Sequence, residues 1–218
     1  MKVRAAAILS VTFALAACSG VFDSKLAAPQ AYVLRLPPAT AQPAATGEGA
    51  GSVLLQRPEA GPGLESERIA LLRSDQRFDF YSASRWAAPA PDLIESVMVD
   101  ALRAAGMFSA VFDDSAPYAP RYTLRCALRR FEADYTKGGR APTIFVTLDC
   151  TLGRHRDREL IASFTAQGSA PASEDRLNSV VAAFEAATAT AMNELSRAMS
   201  AALATEKMAT GKPASEGR

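Results

Sequence analysis

One histidine, one tryptophan and three cysteines occur in 218 residues, and aromatic residues make up only 7% of the chain. Each scarcity excludes something. The single histidine, His155, lies in Arg154-His155-Arg156-Asp157-Arg158, a charged turn whose arginines oppose protonation of the ring. Without a second histidine no common zinc set can form. No Gly-x-Ser-x-Gly elbow is present, and Gly47-Glu48-Gly49-Ala50-Gly51 lacks the phosphate-loop spacing. A solvated turn accounts for His155, and the sequence offers no catalytic set, metal set or cofactor motif. A strong charge of either sign is also missing, since 24 basic and 23 acidic residues nearly cancel. That leaves no electrostatic footprint for nucleic acid.

The N-terminal apolar run is short. Lys2 and Arg4 precede Ala5 to Ala17, about 13 residues, against the roughly 20 that a helix needs to cross a bilayer. A basic start, an apolar stretch and small residues before a cut form a cleavable secretory signal. Leu15-Ala16-Ala17-Cys18 reads as a lipobox, in which the Cys18 thiol receives diacylglycerol and becomes the first residue after cleavage. The alternative is an ordinary signal peptide with an incidental cysteine. Several acyl chains, at about 0.8 kcal/mol per buried CH₂, would anchor the protein firmly. Ser19 rather than aspartate after the cysteine favours the periplasmic face of the outer membrane. Residues 18–30 are then a tether reaching at most roughly 40 Å.

Removing residues 1–17 from 218 leaves 201, enough for one substantial domain. Without Lys2 and Arg4, 22 basic residues face 23 acidic ones, a net charge of about −1. With Cys18 lipidated, Cys126 and Cys150 remain in an oxidising compartment. Tyr122, Leu124, Cys126 and Leu128 alternate with Thr123, Arg125, Ala127 and Arg129, and Ile144, Val146, Leu148 and Cys150 alternate with Phe145, Thr147 and Asp149. A hairpin turning within 132–142 that sets Leu128 opposite Leu148 also sets Cys126 opposite Cys150. Either a disulfide or two buried thiols satisfies this pattern.

Strands are expected at Tyr32 to Leu36, Ser52 to Gln56, Arg68 to Arg73, Phe78 to Tyr81 and Glu159 to Gln167, the middle ones forming a small antiparallel unit. Residues 37–51, rich in Pro, Ala, Thr and Gly, read as a mobile loop. Pro91 opens a helix that carries Ile94, Val97, Met98, Ala101, Leu102 and Ala105 on one face and stops at Gly106. A second helix follows Ser173-Glu174-Asp175 and runs to Ala204 with the stripe Leu177, Val181, Phe184, Thr188, Ala191, Leu195, Ala198, Ala202. At about 45 Å it exceeds the width expected of the domain. Either its Ala- and Met-rich end is free for a partner, or it packs along its whole length. Residues 205–218 read as a disordered tail. The fold class is α/β: one domain, residues 31–204, with a mixed or antiparallel sheet covered by two main helices. Trp86 either wedges between the first helix and the sheet, with Arg85 outward, or meets a partner or lipid.

The lipobox at Cys18, Tyr32-Val33-Leu34, Pro62-Gly63-Leu64-Glu65-Ser66-Glu67-Arg68-Ile69-Ala70 and Phe80-Tyr81-Ser82-Ala83-Ser84-Arg85-Trp86 carry a resemblance. So do Leu102 to Phe108, Val111, Tyr122-Thr123-Leu124 and Val181 to Phe184. Together they resemble the ABC-type transport auxiliary lipoprotein family, the PqiC-like components that accompany lipid transport systems containing MCE proteins. The loop at 37–51 and the cysteine pair are additions to that pattern. The resemblance implies an α/β domain, a periplasmic location and an accessory, non-enzymatic role. The expected partner is an MCE-domain protein of an ABC transporter, docked near the outer membrane. Arg85, Trp86, Met192 and Met199 are the candidate contacts, and a homo-oligomer is compatible. The rival expectations are a lipid carrier with a pocket between helix and sheet, and an assembly factor for outer-membrane proteins.

Overall fold

A computed structural model describes residues 28–36 and 50–210. Cys18, the signal segment, most of the tether, nearly all of the 37–51 loop and residues 211–218 lie outside the described residues. The strands are β1 (Gln30–Tyr32), β2 (Ser52–Leu55), β3 (Glu59–Ala60), β4 (Arg68–Leu72), β5 (Phe78–Trp86), β6 (Ala110–Phe112), β7 (Tyr122–Asp134), β8 (Thr143–Arg154) and β9 (Leu160–Pro171). Among the described residues two helices, α1 (Ala90–Ala105) and α2 (Leu177–Thr210), complete them.

The three long strands β7, β8 and β9 form an antiparallel meander. Leu128 faces Leu148 and Cys126 faces Cys150, the register that the alternation predicts. Beyond Leu128 a bulge absorbs Arg129, so Phe131 and Ala133 take over the apolar face that the even positions held before it. The hairpin loop therefore shortens to 135–142, and both strands grow well past their expected ends.

The other edge of β7 takes β2, β3 and β4 in turn, all parallel. β6 extends the sheet beyond β2, and β5 and β1 extend it beyond β4. The sheet is mixed, one of the two forms anticipated. β4 and β5 are antiparallel, as expected, but they join the main sheet instead of standing as a separate unit. β1 also sits earlier than Tyr32 to Leu36, ending at Tyr32.

Both helices cover one face. α1 starts at Ala90 with proline in its first turn and closes on Gly106, whose φ of 62° suits a residue without a Cβ. α2 is 34 residues long, about 51 Å. The 12-residue strands beneath it extend roughly 40 Å, so the bed is far longer than the seven or eight residues of alternation suggest. Packing along its length wins over a free end: Phe184, Ala187, Ala191, Leu195 and Met199 are all fully buried. Helix and strand approach closely at Gly168 of β9, where an added Cβ would lie 2.0 Å from the Ala187 carbonyl oxygen.

Candidate docking surfaces

The stretch from Phe80 to Trp86 is built around a bulge. β4 and β5 lose register between Arg68 and Ala70, and Ala83 adopts a left-handed φ of 52°. The twist sends Trp86 inward and leaves Arg85 outward. Trp86 is fully buried against Phe131 and Phe184, with ring centroids 5.6 and 5.2 Å away, and those two rings are 4.8 Å apart. Such pairs contribute about 0.5–1.5 kcal/mol each beyond burial. Among the described residues the Trp86 indole N–H has no acceptor, which costs about 1–3 kcal/mol against the gain of the aromatic cluster.

Three of the four expected partner contacts are therefore corrected. Trp86, Met192 and Met199 are 0%, 2% and 0% exposed and cannot meet another protein in this state. The burial of Met192 and Met199 follows from the length of the β7–β9 meander, and that of Trp86 from the bulge in β5. Arg85 remains at the surface: its Nη1 donates to Glu67 Oε2 at 2.6 Å and to the Trp86 carbonyl at 3.3 Å. The space between helices and sheet, where the rival lipid-carrier reading puts a pocket, is occupied by Trp86, Phe131, Phe184, Ile94, Met98 and Leu102.

Cys126 and Cys150 face each other with Cα atoms 4.1 Å apart, and their sulfurs are joined at 2.07 Å. His155 lies in an exposed turn, its Nδ1 3.1 Å from Thr123 Oγ1 and its backbone N–H donated to the Arg121 carbonyl. Among the described residues no three His, Cys, Asp or Glu side chains gather as a metal set.

The anchoring carboxylate of α2 had no signature in the sequence. Glu206 is buried at the end of the helix, accepting from Tyr122 Oη at 2.7 Å and from Arg154 at 2.9 Å. This clamp explains why α2 runs to Thr210 and not to Ala204. Burial and the Glu206 carboxylate raise the Tyr122 hydroxyl above its ordinary pKa. At the other end of α2, Tyr81 and Tyr135 share a hydrogen bond of 2.8 Å and Tyr135 donates to Asp175 at 2.5 Å. Burial pushes Tyr81 up to about 12.

The opposite face of the sheet is polar. Arg130 bridges Glu132 at 2.6 Å and Asp134 at 3.0 Å and lies over the Phe145 ring. Burial raises the Glu132 carboxyl despite Arg130. For Asp134 burial alone acts upward, but hydrogen bonds from Thr136, together with Arg130, more than reverse it and the carboxyl is lowered.

Two features orient the molecule. The N-terminal segment enters beside the start of α2, where Tyr32 Oη donates to Asn178 Oδ1 at 3.5 Å and the Arg35 N–H to Glu185 at 3.1 Å. A groove of about 670 Å³ opens between the start of β9 and the last turns of α2, lined by Leu160, Phe164, Ala198 and Ala202 among others.

The family model of an ABC-type transport auxiliary lipoprotein component matches residues 32–199. A crystal structure of a protein from Xanthomonas campestris is similar at 28% identity and a TM-score of 0.67, covering 84% of this chain and 98% of that one. An uncharacterised protein shares the fold at 14% identity and a TM-score of 0.62, covering 79% and 99%. PelC from Paraburkholderia phytofirmans, crystallised as a dodecamer, is 18% identical with a TM-score of 0.40 over 68% of this chain and 87% of that one, too slight to carry an argument. No curated protein matches the chain.

Proposed function

This chain belongs to the ABC-type transport auxiliary lipoprotein family, and on that premise we propose that it is the outer-membrane-anchored docking component of an MCE-type lipid transport system. The observation that carries the reading is the family match over residues 32–199, behind a lipobox at Cys18. Physically, the role needs a tether, a rigid surface and no chemistry. The core is filled, which suits positioning better than carrying a lipid. The tether joins near the start of α2, so roughly 30 Å of helix separates that point from the groove at its far end. With the tether's own reach of roughly 40 Å, the domain can present its far end to a periplasm-spanning partner while staying anchored. The protein catalyses nothing in this reading.

Membrane fractionation combined with palmitate-analogue labelling tests the anchoring half. Wild type labels and sediments with outer membranes, and Cys18→Ala remains as unlabelled precursor. Equal labelling of Cys18→Ala, or recovery of wild type solely with inner membranes, would overturn it.

A further inference from the structure

We propose that the open edge of β9 is a docking site for an extended segment of a partner protein, which joins the sheet as a further strand. β9 pairs with β8 alone, and among the described residues nothing pairs with its other edge. The Gln167 N–H points outward, since it donates to Glu194 Oε2 at 2.7 Å. Ser163 and Thr165 share its phase, so their N–H and C=O groups face the same free edge. Lone edges are normally guarded by charge, proline, a bulge or shortness. β9 has 12 residues and no charged side chain, with proline only at its last position, and its register with β8 shifts at Ile161. Glu194 closes the edge at Gln167 and the bulge breaks it at Ile161, which leaves Ala162 to Ala166 open.

The groove lies beside that open stretch. Leu160, Ile161 and Phe164 wall it on the strand side and Ala198, Ala201 and Ala202 on the helix side. Leu160 is 61% exposed. The alanines leave room for alternate side chains of an added strand, which would pack as the strand's own residues do.

The chemistry selects polypeptide over an acyl chain. Outward amides and carbonyls need acceptors and donors at strand spacing, and hydrocarbon supplies neither. Charge selects neither end of the ligand, because Arg154, Arg156 and Arg158 of the turn that leads into β9 are set against Asp157, Glu159 and Glu206. The partner segment is therefore an uncharged one, with small side chains where it meets the apolar groove. A second copy fits less well. Antiparallel self-pairing of Ser163 with Thr165 sets Gln167, carrying the Glu194 carboxylate, opposite Ile161 in the apolar groove of the other copy. The inference shares with the docking reading only that the partner is a protein, so either can fail alone.

The test uses the full-length lipoprotein in its native cells, with a photoreactive phenylalanine analogue at Leu160 and Ser163→Pro or Thr165→Pro in the same chain. Each proline removes an N–H that β8 does not use, so the purified variants keep the wild-type circular dichroism. Cross-linked peptides are expected to map to one contiguous segment of another protein. Each proline should lower the yield about tenfold, the equivalent of one backbone hydrogen bond. Cross-links to lipid, to another copy of this chain or to scattered peptides would overturn the proposal, as would a yield indifferent to the prolines. If the prolines unfold the protein, hydrogen exchange over residues 160–166 decides: protection in the purified membrane assembly relative to the isolated protein supports an added strand, and equal exchange refutes it. A mapped segment outside any MCE protein would leave the strand site standing and the docking reading fallen.

Discussion

Replacing Gly168 with alanine should separate close helix-on-strand packing from ordinary strand preference, because the two predict opposite signs. In a strand that merely tolerates glycine, alanine stabilises by reducing unfolded-state freedom, about 0.4–1 kcal/mol. Here the new Cβ would sit 2.0 Å from the Ala187 oxygen, 2.7 Å from the Ala191 nitrogen and 3.0 Å from the Ala187 carbonyl carbon. All three are backbone atoms of α2, so no side chain can swing aside. Real contacts do not fall below 3.0 Å, so the helix must lift by about 1 Å, the difference between 3.0 and 2.0 Å. A radial gap of 0.5–1 Å forfeits about a quarter to a half of each dispersion contact, and Phe184, Ala187, Ala191 and Leu195 all depend on this seam. Overpacking of this kind costs about 1–3 kcal/mol, sometimes more, and we expect about 3 kcal/mol, or a Tm lower by roughly 6–12 °C. Thermal unfolding of the unlipidated domain measures it, with Ser169→Ala as the neutral control. Ala187→Gly should not rescue the variant, since the clash is with the carbonyl. An unchanged or raised Tm for Gly168→Ala would refute the packing argument.

Other perturbations probe separate parts of the fold. Intact mass of denatured, unreduced, alkylated protein should show no added alkyl group on Cys126 and Cys150, and two added groups would reject the bond; closing a loop of this length stabilises by about 3 kcal/mol. Glu206→Ala should speed hydrogen exchange over residues 203–210 while leaving the first turns of α2 unchanged, because it releases Tyr122 and Arg154 together. Glu132 has its carboxyl raised by burial, so its stabilising contribution is full below the ordinary Glu value of about 4.3 and is lost as pH rises through the folded value. Glu132→Gln should therefore raise Tm relative to wild type at pH 7.5, with the gain shrinking toward pH 4. A gain independent of pH would exclude titration of this group.

The parts of this structure that local pattern can express were legible. Alternation gave both faces of the β7–β8 hairpin and the Cys126–Cys150 register, and helical spacing gave α1 with its stop at Gly106. Long-range choices were not. Nothing local tells that β2, β3 and β4 share one edge of β7, nor that the bulge at Arg129 carries the apolar face onward to Phe131. The misplacement of Met192 and Met199 followed from that omission, since strands read as short could not seat a helix of 34 residues. Glu206 was hidden for another reason: a lone glutamate near a chain end looks solvated until Tyr122 and Arg154 are seen beneath it. The sequence admits Trp86 inward with Arg85 outward, but a strand read only from Phe78 to Tyr81 does not reach them, and the bulge that carries β5 on to Trp86 has no local signature.

The central claim is that this lipoprotein docks an MCE protein and carries no lipid itself. Photo-crosslinking in native membranes, with reactive residues placed in turn at Arg85, along the groove beside β9 and on the polar sheet face, tests it most directly. The account predicts an MCE protein cross-linked from at least one of these surfaces, and no stoichiometric lipid in the isolated domain. No MCE protein from any position, together with one lipid bound per purified domain, would contradict it.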